Sequence, residues 1–93
     1  MAQKTKNNGT TKEFWLNAPK ATRVMLAGDF TDWAQRAIVM KHGKNGDWKA
    51  TVTLPPGRHE YRFIVDDEWA DDPQCLEREQ NPFGTTNSVC TVG

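Results

Sequence analysis

The chain lacks long apolar runs, is poor in cysteine, carries no excess of either charge and shows no sustained helical periodicity. Each absence removes a class of protein. No stretch approaches the ~18 consecutive apolar residues of a membrane-spanning helix. The N-terminal run from Met1 to Thr10 is polar and has no apolar core of a secretory signal. A cytoplasmic location is therefore the default, and residues 1–10 are expected to form a disordered tail. Lys plus Arg is 12 and Asp plus Glu is 12 in 93 residues, so the net charge is zero. A general binder of nucleic acid or anionic membrane would carry a basic excess, and both partners are excluded on that ground. The 2 cysteines, Cys75 and Cys90, have no CxxC spacing. No metal site is expected from them; a disulfide between them is geometrically possible, but a reducing compartment favours free thiols. Gly43 and Gly46 have no helix or Lys-Ser after them, so no phosphate loop or nucleotide cofactor is indicated.

What remains is a set of short alternating segments. Phe14 and Leu16 share one face of a strand from Lys12 to Asn17, with Trp15 on the other. Val24 and Leu26 point inward from a strand ending at Gly28, and Ile38 to Lys41 forms a weaker one. Trp48, Ala50, Val52 and Leu54 alternate with Lys49, Thr51 and Thr53, which places Trp48 in the core. Pro55-Pro56-Gly57 turns that strand into the next, where His59, Tyr61, Phe63 and Val65 share one parity and Arg58, Glu60, Arg62 and Ile64 the other. Asp66-Asp67-Glu68 is expected as a turn that delivers Trp69 just past the strand end. A polar loop then runs from Asp71 to about Gly84, with one helical turn at most between Gln74 and Gln80, and Asn87 to Val92 closes the chain. Short strands bounded by turns predict an all-β antiparallel sandwich of about seven strands, a single domain over residues 11–93.

Catalysis has little support in this pattern. Glycosidases hold two carboxylates about 5–10 Å apart across the bond they cleave, whereas the acids between Asp66 and Glu79 fall on a turn and a loop, as solvated surface does. His42 and His59 have no Ser or Cys spaced as a nucleophile partner. No catalytic residue is assigned, and the chain is not expected to be an enzyme. The aromatics carry more. There are 4 tryptophans, and the alternation explains only Trp48. Trp33 and Trp69 lie among Asp, Thr, Gln and Glu. Either they cap an end of the sandwich or they form an exposed stacking surface. Sugars suit the second reading, because indoles cover their apolar C–H faces while Arg, Asn and Thr bond their hydroxyls.

These residues also resemble a known family. Val24-Met25-Leu26-Ala27-Gly28-Asp29-Phe30-Thr31-Asp32-Trp33 is similar to its "V-x-L-x-G-x-F-x-x-W" opening. Trp48 to Leu54, Pro56-Gly57 and Tyr61-Arg62-Phe63-Ile64-Val65-Asp66 resemble its central hairpin, and Trp69, Asp72-Pro73 and Phe83 to Val89 its closing signature. The family is the glycogen-binding domain of the AMP-activated kinase β subunit, carbohydrate-binding module family 48, which includes the N-terminal domains of isoamylases and branching enzymes. The resemblance covers about residues 12–92 and implies an immunoglobulin-like β-sandwich that binds α-1,4-linked glucans without catalysis. By matching position it implies Trp33 and Trp69 as the stacking pair and Arg62 as the basic residue, where the kinase type has Lys. It implies Phe83 and Thr85 on a clamp loop and Asn87 as a sugar contact. Asp67 stands where the family has Gly. It also leaves open a domain of the same fold that has no sugar site and docks a protein partner, either a kinase or an adjacent glycan-active enzyme.

Overall fold

The computed structural model describes residues 9–92 and is an all-β antiparallel sandwich. The expected tail falls mostly on residues 1–8, outside the described residues, but Thr10 belongs to the first strand rather than to a tail. In chain order the strands are β1 (Thr10–Asn17), β2 (Val24–Gly28), β3 (Ile38–Val39), β4 (Lys41–His42), β5 (Asp47–Leu54), β6 (Gly57–Val65), β7 (Glu68–Ala70), β8 (Arg78–Gln80) and β9 (Thr86–Val92). One sheet has the order β1-β5-β4; the other has β3-β2-β6-β9-β8, with β7 paired to β6.

Alternation places the core between these sheets. Phe14, Leu16, Trp48, Ala50 and Leu54 come from the first, and Val24, Leu26, Tyr61, Phe63, Cys90 and Val92 from the second. Phe14 meets Tyr61 edge-on, with ring centroids 4.9 Å apart. Trp48 is 5% exposed, and its indole N–H donates to the Ala18 carbonyl at 3.1 Å, so the core position and the polar handle are both satisfied.

The segments that depart from expectation are short strands held by distant partners. The strand expected over Ile38 to Lys41 divides at Met40: β3 pairs with β2 in one sheet and β4 with β5 in the other. Met40 is buried at the crossing, and its N–H donates to Val24 O at 2.9 Å. The polar loop after Asp71 contains β8, paired residue for residue with β9. Trp69 lies within a strand, directly opposite Ile64, rather than beyond a strand end. These additions make nine strands among the described residues, where about seven were expected. Ile64 sits on the outward parity but is buried, because Met25 and Trp69 flank it across the sheet. The outer face of this sheet is thus partly closed over, and the groove described next lies on that face.

Candidate functional site

Two turns aim the tryptophans. Gly28 ends β2 where a Cβ would meet Glu60 O at 2.6 Å and the Phe30 ring at 2.7 Å, so only glycine fits there. The buried Thr31 hydroxyl accepts the Gly28 N–H at 2.9 Å, and the carbonyls of Gly28 and Trp33 lie 3.0 and 2.9 Å from it. This knot holds Asp32 and Trp33 at φ 53 and 56 before a short 3-10 turn, Trp33–Arg36. Left-handed backbone at a bulky side chain costs on the order of 1–3 kcal/mol and persists only where the surroundings enforce it.

The second turn joins β6 to β7. Val65 pairs with Glu68, leaving a two-residue loop, and both loop residues have positive φ, 48 at Asp66 and 71 at Asp67. That is the pattern of a type I′ hairpin turn, which matches the twist of the strands it joins. The Asp66 carboxylate accepts the backbone N–H groups of Thr22 and Arg23 at 2.8 and 2.9 Å, and Arg23 pairs with Asp67 at 2.9 Å. Aspartate thus takes the left-handed position at Asp67, and the hairpin delivers Trp69 onto the sheet's outer face.

The two indoles meet at an angle of 61° with centroids 6.4 Å apart. Trp69 is 45% exposed. The Arg62 guanidinium carbon lies 5.7 Å from the Trp69 ring centroid, within cation–π range. Its Nε donates to Asp71 at 3.1 Å, and the other oxygen of that carboxylate pairs with Arg78 at 3.1 Å. The Arg62 side chain is only 14% exposed, so this shared carboxylate fixes a well-packed cation. The bond to Asp71 is made through Nε, and the guanidinium faces the indole.

The opposite wall is the loop between β8 and β9. The Asn81 side-chain oxygen accepts the backbone N–H groups of Phe83 and Thr85, as in an Asx-turn. Phe83 is 88% exposed at the loop's tip. Asn87, on β9, is 6% exposed and donates to Glu60 at 3.0 Å. Together Trp33, Arg62, Trp69, Asn81, Pro82, Phe83, Thr85 and Asn87 line one groove of about 790 Å³. The six residues singled out in the sequence are all brought to it. Asn81, Pro82 and the Arg62 partner Asp71 were missed. The Asn-Pro dipeptide was a turn signal that went unused. No charge pattern in the sequence distinguishes Asp71 from its acidic neighbours.

On the core side of β6, the buried Tyr61 hydroxyl donates to Asp72 at 2.6 Å. Burial first, and then the bond to that carboxylate, push the phenol well above its ordinary range. Among the described residues no cluster of three or more His, Cys, Asp or Glu side chains could hold a metal ion. No helix there is long and apolar enough to cross a membrane.

Comparison with known proteins identifies relatives of the chain. A family described as "Glycogen recognition site of AMP-activated protein kinase" matches residues 13–93. The chain is 33% identical over 79 residues to the 5'-AMP-activated protein kinase subunit beta-1 of Homo sapiens, covering 84% of this chain and 27% of that protein. It is 32% identical over 78 residues to the Sus scrofa beta-1 subunit, covering 84% of this chain and 59% of that one. With "Protein PTST homolog 2, chloroplastic" of Arabidopsis thaliana it shares 38% identity over 64 residues, 69% of this chain and 12% of that protein. The chain thus spans less than two-thirds of each of these relatives.

Proposed function

The chain belongs to the family of glycogen recognition sites of AMP-activated protein kinase, and from that premise we propose that it is a non-catalytic binding module for α-1,4-linked glucans. Glycogen, starch, malto-oligosaccharides or a cyclodextrin would lie in the groove between Trp33, Trp69 and the 81–85 loop. The observation that carries this reading is the pair of indoles inclined at 61° beside a positioned guanidinium. An inclined pair suits a chain that turns from one sugar to the next, whereas a flat chain lies along one ring only. Trp33 and Trp69 stack on sugar faces, Arg62 and Asn87 bond hydroxyls, and Phe83 and Thr85 close over the ligand from the loop. Because the groove is open and shallow, Kd should fall on the order of 10 μM to 1 mM. Two of the three named relatives are kinase β subunits, which supports a kinase or a glycan-active enzyme as the protein that carries or meets this module. A cytoplasmic setting goes with this reading, and the two free thiols suit it.

The direct test is electrophoretic retardation in native gels containing glycogen. The wild-type chain should be slowed relative to a blank gel, and Trp33→Ala should run as in the blank. Equal mobility of the folded wild-type chain in both gels would overturn the proposal.

A further inference from the structure

Asn81 lines the groove, yet its side chain has nothing left to offer a ligand. A carboxamide has two N–H donors and two oxygen lone pairs. Nδ2 donates to the Thr85 hydroxyl at 2.8 Å and to Asn87 Oδ1 at 3.0 Å. Oδ1 accepts from the backbone N–H groups of Phe83 at 3.0 Å and Thr85 at 3.2 Å. All four capacities are used, and backbone N–H groups can only donate. The Asn81 amide therefore has one orientation available to it.

We propose that Asn81 is a positioning residue that sets the hydrogen-bonding polarity of the groove, leaving Thr85 as a donor and Asn87 with one N–H and one lone pair for the ligand. This rests on the glucan reading of the groove. Because Thr85 Oγ1 accepts from Asn81, its own O–H is free to donate outward. Asn87 is clamped from two sides. Its oxygen faces the Asn81 amide nitrogen, and its nitrogen donates to Glu60 Oε1, a carboxylate that only accepts. Turning the Asn87 amide over would set N–H against N–H on one side and oxygen against oxygen on the other. At 6% exposure, water cannot make good that mismatch. The ligand this selects presents an acceptor to Thr85 and a donor–acceptor pair to Asn87. Two adjacent sugar hydroxyls do so, since each hydroxyl both donates and accepts, whereas a carboxylate cannot.

Asn81→Asp separates this role from a merely structural one. The new side chain keeps an oxygen for the Phe83 and Thr85 N–H groups, so the loop turn survives. It replaces the two N–H donors by an acceptor. Thr85 then donates inward, and Asn87 Oδ1 faces another oxygen. The melting temperature should stay within about 3 °C of wild type. Affinity for β-cyclodextrin should fall roughly tenfold or more. Thr85→Val should weaken binding in the wild-type chain but add almost nothing on top of Asn81→Asp, a non-additivity that a simple loss of fold would not give. Side-chain ¹H–¹⁵N spectra should show the Asn87 amide pair shifted in Asn81→Asp without any ligand. Should that variant fold poorly, Asn81→Ser keeps a turn-forming oxygen but replaces two N–H donors by a single O–H, so it should weaken binding less than Asn81→Asp and still shift the Asn87 amide pair. Wild-type affinity in Asn81→Asp, or an unchanged Asn87 amide pair, overturns the inference. If the wild-type chain binds no glucan while the Asn87 signals still shift, the glucan reading fails and the positioning role stands.

Discussion

Trp48 and Trp69 are both large aromatics on strands, and truncating them should have opposite consequences. Trp48 is 5% exposed, stacks on His42 at 4.4 Å and donates to Ala18 O. Trp48→Ala removes a buried indole, opens a cavity and leaves the Ala18 carbonyl with only the Ala21 N–H of its two donors. Aromatic-to-alanine changes in cores cost about 3–5 kcal/mol. A domain this size has only about 5–10 kcal/mol to lose, so the variant should melt tens of degrees lower or fail to fold. Trp69 is 45% exposed on the outer face, opposite Ile64 and facing Arg62 and Trp33. Trp69→Ala should cost about 1 kcal/mol of stability, but under the proposed function it deletes one of two stacking surfaces. Stacking on an aromatic is worth ~1–3 kcal/mol, taking nucleobases as the analogue, which is roughly 10- to 100-fold in Kd. The assay is a thermal melt and a β-cyclodextrin titration on each variant. If Trp69→Ala melts as far down as Trp48→Ala while its folded remainder still binds, the division into core ring and site ring is wrong.

The hairpin turn and the buried phenol give further tests. Asp67→Gly should raise the melting temperature by a few degrees, since glycine takes φ 71 freely and the lost pair with Arg23 is solvent-exposed and worth well under 1 kcal/mol. Asp66→Gly, by contrast, should lower it, because the Asp66 carboxylate holds the Thr22 and Arg23 N–H groups. Both outcomes are read from one set of melts, and a destabilised Asp67→Gly would contradict the strain argument. Tyr61 has its phenol pKa raised in the folded state, so its proton is bound more tightly folded than unfolded. That contribution is complete below about pH 10 and is lost as pH rises beyond it. Tyr61→Phe should therefore be less stable near neutrality by about 1–3 kcal/mol, with Asp72 left short of a donor, and should show a shallower alkaline decline than wild type. Chemical denaturation at pH 7 and pH 11 measures both.

The parts legible in the sequence were those whose cause is local. Alternation placed Trp48 inward, and Pro55-Pro56-Gly57 and the acidic pair before Trp69 marked the turns. Polar surroundings marked Trp33 and Trp69 as rings the alternation left unexplained. The parts that were not legible depend on a partner far along the chain. β8 is three residues of Arg, Glu and Gln with no strand signal, and it exists because β9 offers a pairing edge. The change of sheet at Met40 depends on how β2 and β5 sit in space. Asp71 is one acid among many until the fold sets it between Arg62 and Arg78. Asn81 acquires its role only when the loop closes back onto Asn87.

The central claim is that the angled indoles select a curved α-linked glucan, and one calorimetric comparison reaches it most directly. The wild-type chain is titrated with maltoheptaose and with a cello-oligosaccharide of similar length at the same concentrations. The account predicts saturable binding of maltoheptaose with Kd on the order of 10 μM to 1 mM and no heat from the β-linked chain. Equal binding of the two, or binding of the β-linked chain alone, would contradict it.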